Sequence, residues 1–389
     1  MSRTGDKGLR LEELLRAYFL KAGFFVVRGV PFQHDGDDLT DIDLWLYEQP
    51  TGSSRRRQIV DAKSKTKPKA VERLLWTRGL MQLLDVDGAY VATTDSRPML
   101  RTISRKLGVA VLDGADIRRI SESDQALLED RITEDVLFVH IASVDKQRRN
   151  KNIQLQYQDL KCALIDNFGA GTINRALDAF AHFANTAVTA HPGTEATAVA
   201  LRLSYFAAAV VAISLDYVGS SVFFRATEER FAALVNAIRY GNIDESEGLQ
   251  RMRLATALVQ KYSPSGDSTA RTLELAIKRD LANIPAEIIA EFVVRRTRLE
   301  ELIKIAKGLE HLAMSKALTA FDALGVDEKA FVAALLDFTG VDRARFASCW
   351  VSSGKQRLRM TQNVSASLET KNDGPLFSPK DHDPNKEQP

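Results

Sequence analysis

Apolar and polar positions repeat with two different periods along this chain, and the change falls near Ile120. Leu11, Leu14, Leu15, Tyr18, Phe19 and Ala22 recur at helical spacing and predict a helix over 8–22, stopped at Gly23. A β-rich run over 24–30 follows, then the polar loop 33–39 and a second strand over 40–47. The turn Gln49-Pro50-Thr51-Gly52-Ser53-Ser54 leads to a third strand over 57–63. The pattern then predicts a helix over 69–84, a strand over 88–93, a helix over 98–107 and a strand over 109–112. The order αβββαβαβ implies an α/β or α+β fold, a mixed sheet with helices packed on it.

Past Ile120 helix follows helix, with spans predicted at 172–185, 194–215, 228–239, 247–261, 272–282, 286–307 and 328–338. Gly169-Ala170-Gly171, His191-Pro192-Gly193, Ser263-Pro264-Ser265-Gly266 and Gly340 punctuate them. From Ser352 the apolar period stops in a stretch rich in Ser, Asn, Asp, Lys and Pro, which reads as disordered. The expected organisation is a sheet-containing domain at 1–120, an all-α domain at 121–350 and a disordered tail at 351–389.

Composition narrows the function classes. The 389 residues carry 53 Lys and Arg against 51 Asp and Glu, a net charge of +2, which excludes a histone-like polycation. The balance is uneven: residues 1–120 hold 21 basic and 16 acidic residues, a net of +5, so the remainder carries −3. Cys162 and Cys349 have no partner at metal-ligand spacing, and two lone thiols fit a reducing cytoplasm. The N-terminus has no apolar core behind its charges and is not read as a signal peptide. The most apolar run, Leu203 to Leu215, is shorter than the roughly 18–20 residues that span a bilayer, and is expected to be a buried helix. His34, His140, His182, His191, His311 and His382 are scattered without zinc-hydrolase spacing, and no P-loop or nucleophile elbow occurs.

The chemistry concentrates in the second and third strands. Two-residue alternation places Ile42, Leu44 and Leu46 on one face, and Asp41, Asp43, Trp45 and Tyr47 on the other. It likewise places Ile59, Asp61 and Lys63 opposite Val60 and Ala62. If the two strands form a hairpin, Asp43 comes near Asp61, with Lys63 alongside. Two carboxylates make an oxygen-rich site for a hard divalent cation such as Mg²⁺. Such an ion polarises a phosphoryl oxygen and acidifies a bound water, while a lysine orients that water or offsets charge developing on phosphorus. Glu12 lies on the flank of the first helix, about 90° from its apolar stripe, and is placed to reach the sheet, whereas Glu13 points away.

Gly8-Leu9-Arg10-Leu11-Glu12, Gly23-Phe24, Asp41-Ile42-Asp43-Leu44 and Val60-Asp61-Ala62-Lys63 together resemble the PD-(D/E)XK nuclease superfamily, the restriction-endonuclease-like fold. The strands at 88–94 and 108–114 resemble its last two core strands. The resemblance covers about residues 8–120. It implies Mg²⁺-dependent hydrolysis of phosphodiesters, with Mn²⁺ as a substitute, on DNA, with RNA left open. It implies Asp43 and Asp61 as metal ligands, Lys63 as the lysine of the last motif, Glu12 as the helix acid, and Gln82 at a polar position that some members use. Restriction, phage defence and repair are roles carried by that analogy alone. Ile42 stands where the family often has proline, and Asp41 rivals Asp43 as the ligand.

Other readings compete. Arg55, Arg56, Arg57, Lys63, Lys65, Lys67 and Lys69 form a basic run that serves either as a solvated loop or as a grip on phosphates. Trp45, Tyr47 and Trp76 are expected to pack rather than stack on bases. The fold could be a catalytically inactive nucleic-acid-binding or scaffolding protein. The helical part could be an interaction or sensor module, or could form a homodimer, since cutting both strands usually takes two active sites.

Overall fold

The computed structural model describes residues 3–34, 37–63, 69–123, 130–149, 152–166, 168–242, 245–296 and 299–350. The expected tail at 351–389, with His382, and the basic residues Lys65 and Lys67 lie outside the described residues.

The chain opens with α1 (Arg3–Lys21), whose Leu11, Leu14, Leu15 and Phe19 are buried as the helical period requires. Three strands follow, β1 (Phe25–His34), β2 (Asp37–Glu48) and β3 (Arg56–Lys63), then α2 (Ala70–Leu83), β4 (Gly88–Thr93), α3 (Met99–Leu107), β5 (Ala110–Leu112) and α4 (Gly114–Ser123). The sheet runs in chain order, β1-β2-β3-β4-β5, antiparallel up to β3 and parallel from β3 to β5. The molecule is thus mixed α/β, a five-stranded mixed sheet followed by many helices. The pattern of apolar positions missed α4. Its signal is Asp113, whose carboxylate accepts the N–H groups of Ala115 and Asp116 and so caps the helix start.

Helices cover both faces of the sheet. On one, α1 and α4 bury Leu14, Leu15, Ile117 and Ile120 against Val26, Leu44, Leu46, Val60 and Ala62. On the other, α2 sets Ala70 and Leu74 against Ile59, Ala89 and Val91. That second core continues without a break through the helical remainder of the chain to Trp350.

The remainder comprises α5 (Glu134–Arg148), α6 (Asn152–Cys162), α7 (Ala170–Thr189), α8 (Glu195–Ser221), α9 (Thr227–Tyr240), α10 (Glu245–Tyr262), α11 (Gly266–Asn283), α12 (Ala286–Glu291), α13 (Leu299–Met314), α14 (Val326–Thr339) and α15 (Arg343–Ser348). The helix expected at 286–307 is two helices, with a π-helical turn at Phe292–Arg296 after α12. Helix α8 is the axis of the bundle and packs against α7 and α13. Among the described residues it alone is long and apolar enough to cross a membrane, and its most apolar window is wholly buried inside the protein. Its two charged residues inside that core are partnered. Arg202 donates to the carbonyls of Ala313, Ser315 and Lys316. Asp216 accepts from Arg55 of β3's approach and, at 2.6 Å, from the Tyr47 hydroxyl of β2. The sheet is therefore tied to the bundle by a buried ionic contact as well as by apolar packing.

Candidate active site

The site is made by a fork between two strands. β2 and β3 pair from Glu48↔Arg56 up to Leu44↔Val60 and no further, while β3 stays paired with β4 through Lys63↔Thr93. Beyond Leu44 the two middle strands separate. On the other side of β2 the ladder joins Arg28↔Leu44 and Val30↔Ile42 but skips Gly29 and Asp43. Gly29 has φ +58°, a left-handed conformation that costs a residue without Cβ little, and the strand bends there. The expected alternation consequently breaks at Asp43. Leu44 packs under α1, but Ile42 joins the opposite core with Trp45 and Ile59 rather than sharing a face with Leu44.

Asp43 occupies the fork. Its Oδ2 accepts the Ala62 N–H at 2.7 Å, a group the interrupted ladder would otherwise leave without a strand partner. Lys63 Nζ lies 3.3 Å from the same oxygen and 3.5 Å from the other. Asp61, on β3, is buried, and Arg73 of α2 donates to both of its carboxylate oxygens, Nε to Oδ2 at 2.7 Å and Nη2 to Oδ1. Asp43, Asp61 and Arg73 line one narrow crevice with Asp41, Ile42, Trp76 and Thr77. Glu12 approaches from α1. Its Oε2 accepts Arg28 Nε at 2.8 Å. Burial pushes its carboxyl above the usual range, outweighing Arg28, and the Asp43 charge adds to the rise while Lys63 opposes it.

All four expected residues are thus brought to one region: Asp43 and Asp61 share the crevice, Lys63 contacts Asp43, and Glu12 is within electrostatic reach of both. As they stand, each carboxylate faces a cation, Glu12 with Arg28, Asp43 with Lys63, and Asp61 with Arg73. Among the described residues, no three His, Cys, Asp or Glu groups are gathered closely enough to hold a metal ion.

Several expectations change. Asp41 is exposed and takes no part in bridging the strands, which favours Asp43 over it. Gln82 is exposed and lines no part of the crevice. Glu13 points away from the sheet, as expected, but into a second layer of helices. It is buried, accepts from Arg28 at 2.7 Å and from the Glu134 N–H at 3.2 Å, because the side of α1 turned from the sheet meets α5. The basic run is not one surface. Arg55 is buried on Asp216, while Arg57 donates to the Asp85 carbonyl and lies over the rings of Phe168 and Tyr217. Arg56 stays exposed and Lys69 pairs with Glu72. Trp45 and Tyr47 are fully buried core aromatics, as expected, whereas Trp76 is half exposed at the crevice.

Three contributors were not anticipated. Arg73 and Thr77 stand four residues apart on α2 and so share a helix face with Leu80. That spacing was the available signal. Arg28 sits on β1 and joins Glu12 and Glu13 of α1 to Asp135 of α5, so the helical bundle reaches the acid of the site through one guanidinium. Comparison with family models, with curated proteins and with solved structures finds no match to this chain.

Proposed function

We propose that this protein is a metal-dependent nuclease that hydrolyses phosphodiester bonds of DNA, with a restriction-endonuclease-like core in its sheet region. The observation that carries the reading is the fork: strand separation brings Asp43 and Asp61 into one crevice with Lys63 against Asp43 and Glu12 behind it. The element order α1-β1-β2-β3-α2-β4-α3-β5 supports the core assignment.

The donor chemistry suits a hard divalent cation, and gathering the carboxylates around one requires their cations to give way. Carboxylate oxygens are the ligands Mg²⁺ and Mn²⁺ prefer. The buried Thr77 hydroxyl lines the same crevice with no hydrogen-bond partner, so a polar group remains there for a water or a ligand oxygen to satisfy. Asp43 and Asp61 would hold the ion, with Glu12 as the further acid. When bound, the ion supplies Lewis acidity to the phosphoryl oxygen and lowers the pKa of a water. Lys63, about a third exposed, offers a positive charge beside Asp43 to orient the attacking water and to stabilise charge developing on phosphorus. The Ala62 N–H, bonded to Asp43 Oδ2, holds that carboxylate in place.

Supercoiled plasmid is the direct test. Cutting is expected with Mg²⁺ or Mn²⁺, none with EDTA, and none by Asp61→Asn. Equal cutting by wild type and D61N would refute the site. DNA retention by both proteins without cutting would instead support a nucleic-acid-binding role for the same fold, a reading to which the fully paired carboxylates lend weight.

A further inference from the structure

Arg73 is in an unusual place for a structural arginine. Its guanidinium takes both oxygens of Asp61, so that carboxylate has neither oxygen free of it. The Asp43 charge also acts on Arg73, favouring its cationic form against the burial that lowers it. A cation therefore already sits on one carboxylate of the crevice, within electrostatic reach of the other. The nearest comparison within the molecule is Arg55 with Asp216, both essentially sealed from solvent. Arg73 differs, since its side chain is about a third exposed while Asp61 beneath it is 9% exposed. One helical turn on, Thr77 keeps a buried hydroxyl with no partner in the same crevice.

We infer that Arg73 is a gate on the metal site, a positioning residue that holds Asp61 in place until a divalent cation displaces its guanidinium. This rests on the nuclease reading above and specifies how that site is regulated. Arginine suits the task for two reasons. Its planar fork matches a carboxylate in two bonds, so the acid is kept oriented for an incoming ion. It also cannot deprotonate, so the occupying charge leaves only by moving. The half-open position allows that movement, because the guanidinium has solvent on one side. The ion must then compete with a partly buried pair, and apparent metal affinity is set by that competition as well as by the ligands.

The experiment measures Mn²⁺ binding by the whole protein without nucleic acid, from free Mn²⁺ in electron paramagnetic resonance and from the thermal shift. Wild type, Arg73→Gln and D61N are compared. R73Q is expected to melt lower without metal, because it leaves Asp61 without its partner, yet to bind Mn²⁺ about tenfold more tightly than wild type. D61N is expected to lose the response. A merely structural Arg73 gives the first change without the second, so a lower melting temperature with unchanged or weaker Mn²⁺ binding overturns the gate while leaving the metal site standing. No Mn²⁺ binding by either wild type or R73Q overturns the gate and the nuclease reading together. If R73Q does not fold, Arg73→Lys serves. It keeps the charge but loses the fork and is expected to bind Mn²⁺ about threefold more tightly than wild type; no gain overturns the gate.

Discussion

Carboxylates are buried against cations in two parts of this molecule, under opposite rules. Where α1, α5, α6 and α13 meet, Glu310 takes Arg16 and Arg131 at 2.6 Å each, and Glu134 takes Lys161 at 2.8 Å and the Tyr157 hydroxyl at 2.6 Å. Asp216 is closed in the same way by Arg55 and Tyr47. Glu134, Glu310 and Asp216 are all sealed from solvent, at 5% exposure or less. At the β2–β3 fork the cations are more open to solvent. Lys63 holds Asp43 at 3.3 Å and is a third exposed, Arg73 is partly open, and the Thr77 hydroxyl has no partner. The electrostatics set the Glu134–Glu310 cluster apart, whereas burial pushes Asp216 up in spite of Arg55 and Tyr47. Burial pushes Glu134 and Glu310 up, but their cations outweigh it and hold both below the usual range. At Glu12 burial prevails over Arg28, and the carboxyl rises. The Glu134–Glu310 cluster favours its charges, whereas burial strains the charge of Glu12, and a strained charge is where a ligand has most to gain.

The contrast is broken most severely by exchanging the two kinds of damage. Lys63→Met is expected to lower the plasmid-cutting rate by about 10²–10³-fold, the loss typical of removing one stabiliser of developing charge. Its urea midpoint should barely move, because a part-exposed pair contributes ~1 kcal/mol at most. Asp216→Ala should do the reverse. It leaves Arg55 sealed and unpaired, which costs about 3–5 kcal/mol, and cutting by the fraction still folded should be near normal. A Lys63 variant that unfolds, or an Asp216 variant that folds normally but cuts nothing, would erase the distinction between the two regions.

Acid stability sharpens it further. The folded pKa of Glu310 is depressed, so its stabilisation is present above the ordinary glutamate value of 4.5 and is lost as pH falls through the lower folded value. Glu310→Gln removes that contribution. Its urea midpoint should lie below wild type at neutral pH and approach it as the pH drops under 4.5. A constant gap across pH 3–7 would show that packing, not charge, is what Glu310 supplies.

Much of this was legible in sequence, for reasons that differ by residue. β4 falls at 88–93 as expected, because a short apolar run between a turn and a helix leaves few alternatives. Asp43 and Asp61 were rightly brought together, but on a partly mistaken argument. Regular alternation placed them on one face, whereas the strand bends at Gly29 and Asp43 meets the crevice through the fork. Alternation assumes an unbroken ladder, and a functional site is where ladders end. Arg73 and Arg28 were not legible because each acts across elements, α2 to β3 and β1 to α1, and a charge on one element does not announce its partner on another. Charge counting failed for the same reason at Arg55 and Arg57, which read as a basic surface and are held by Asp216 and by Asp85. Glu13 shows the converse. Its place on the face of α1 turned from the sheet was legible, but no local pattern reveals that α5 covers that face.

The smallest expected effect is also the one that separates Glu12 from Glu310 by sign. The folded pKa of Glu12 is raised, so its stabilising contribution is complete below the ordinary value of 4.5 and is lost as pH rises through the raised value. At neutral pH a charged Glu12 is a cost to the fold, kept for what the charge does. Glu12→Gln keeps an acceptor for Arg28 Nε and removes the charge from the neighbourhood of Asp43. In EDTA, its urea midpoint should equal or trail wild type near pH 4 and move above it by pH 7. Glu310→Gln is predicted to run the other way over the same range. If Glu12→Gln instead loses stability toward neutral pH, Glu12 belongs with Glu134 and Glu310, and the acid of the site must be sought in Asp43 and Asp61 alone.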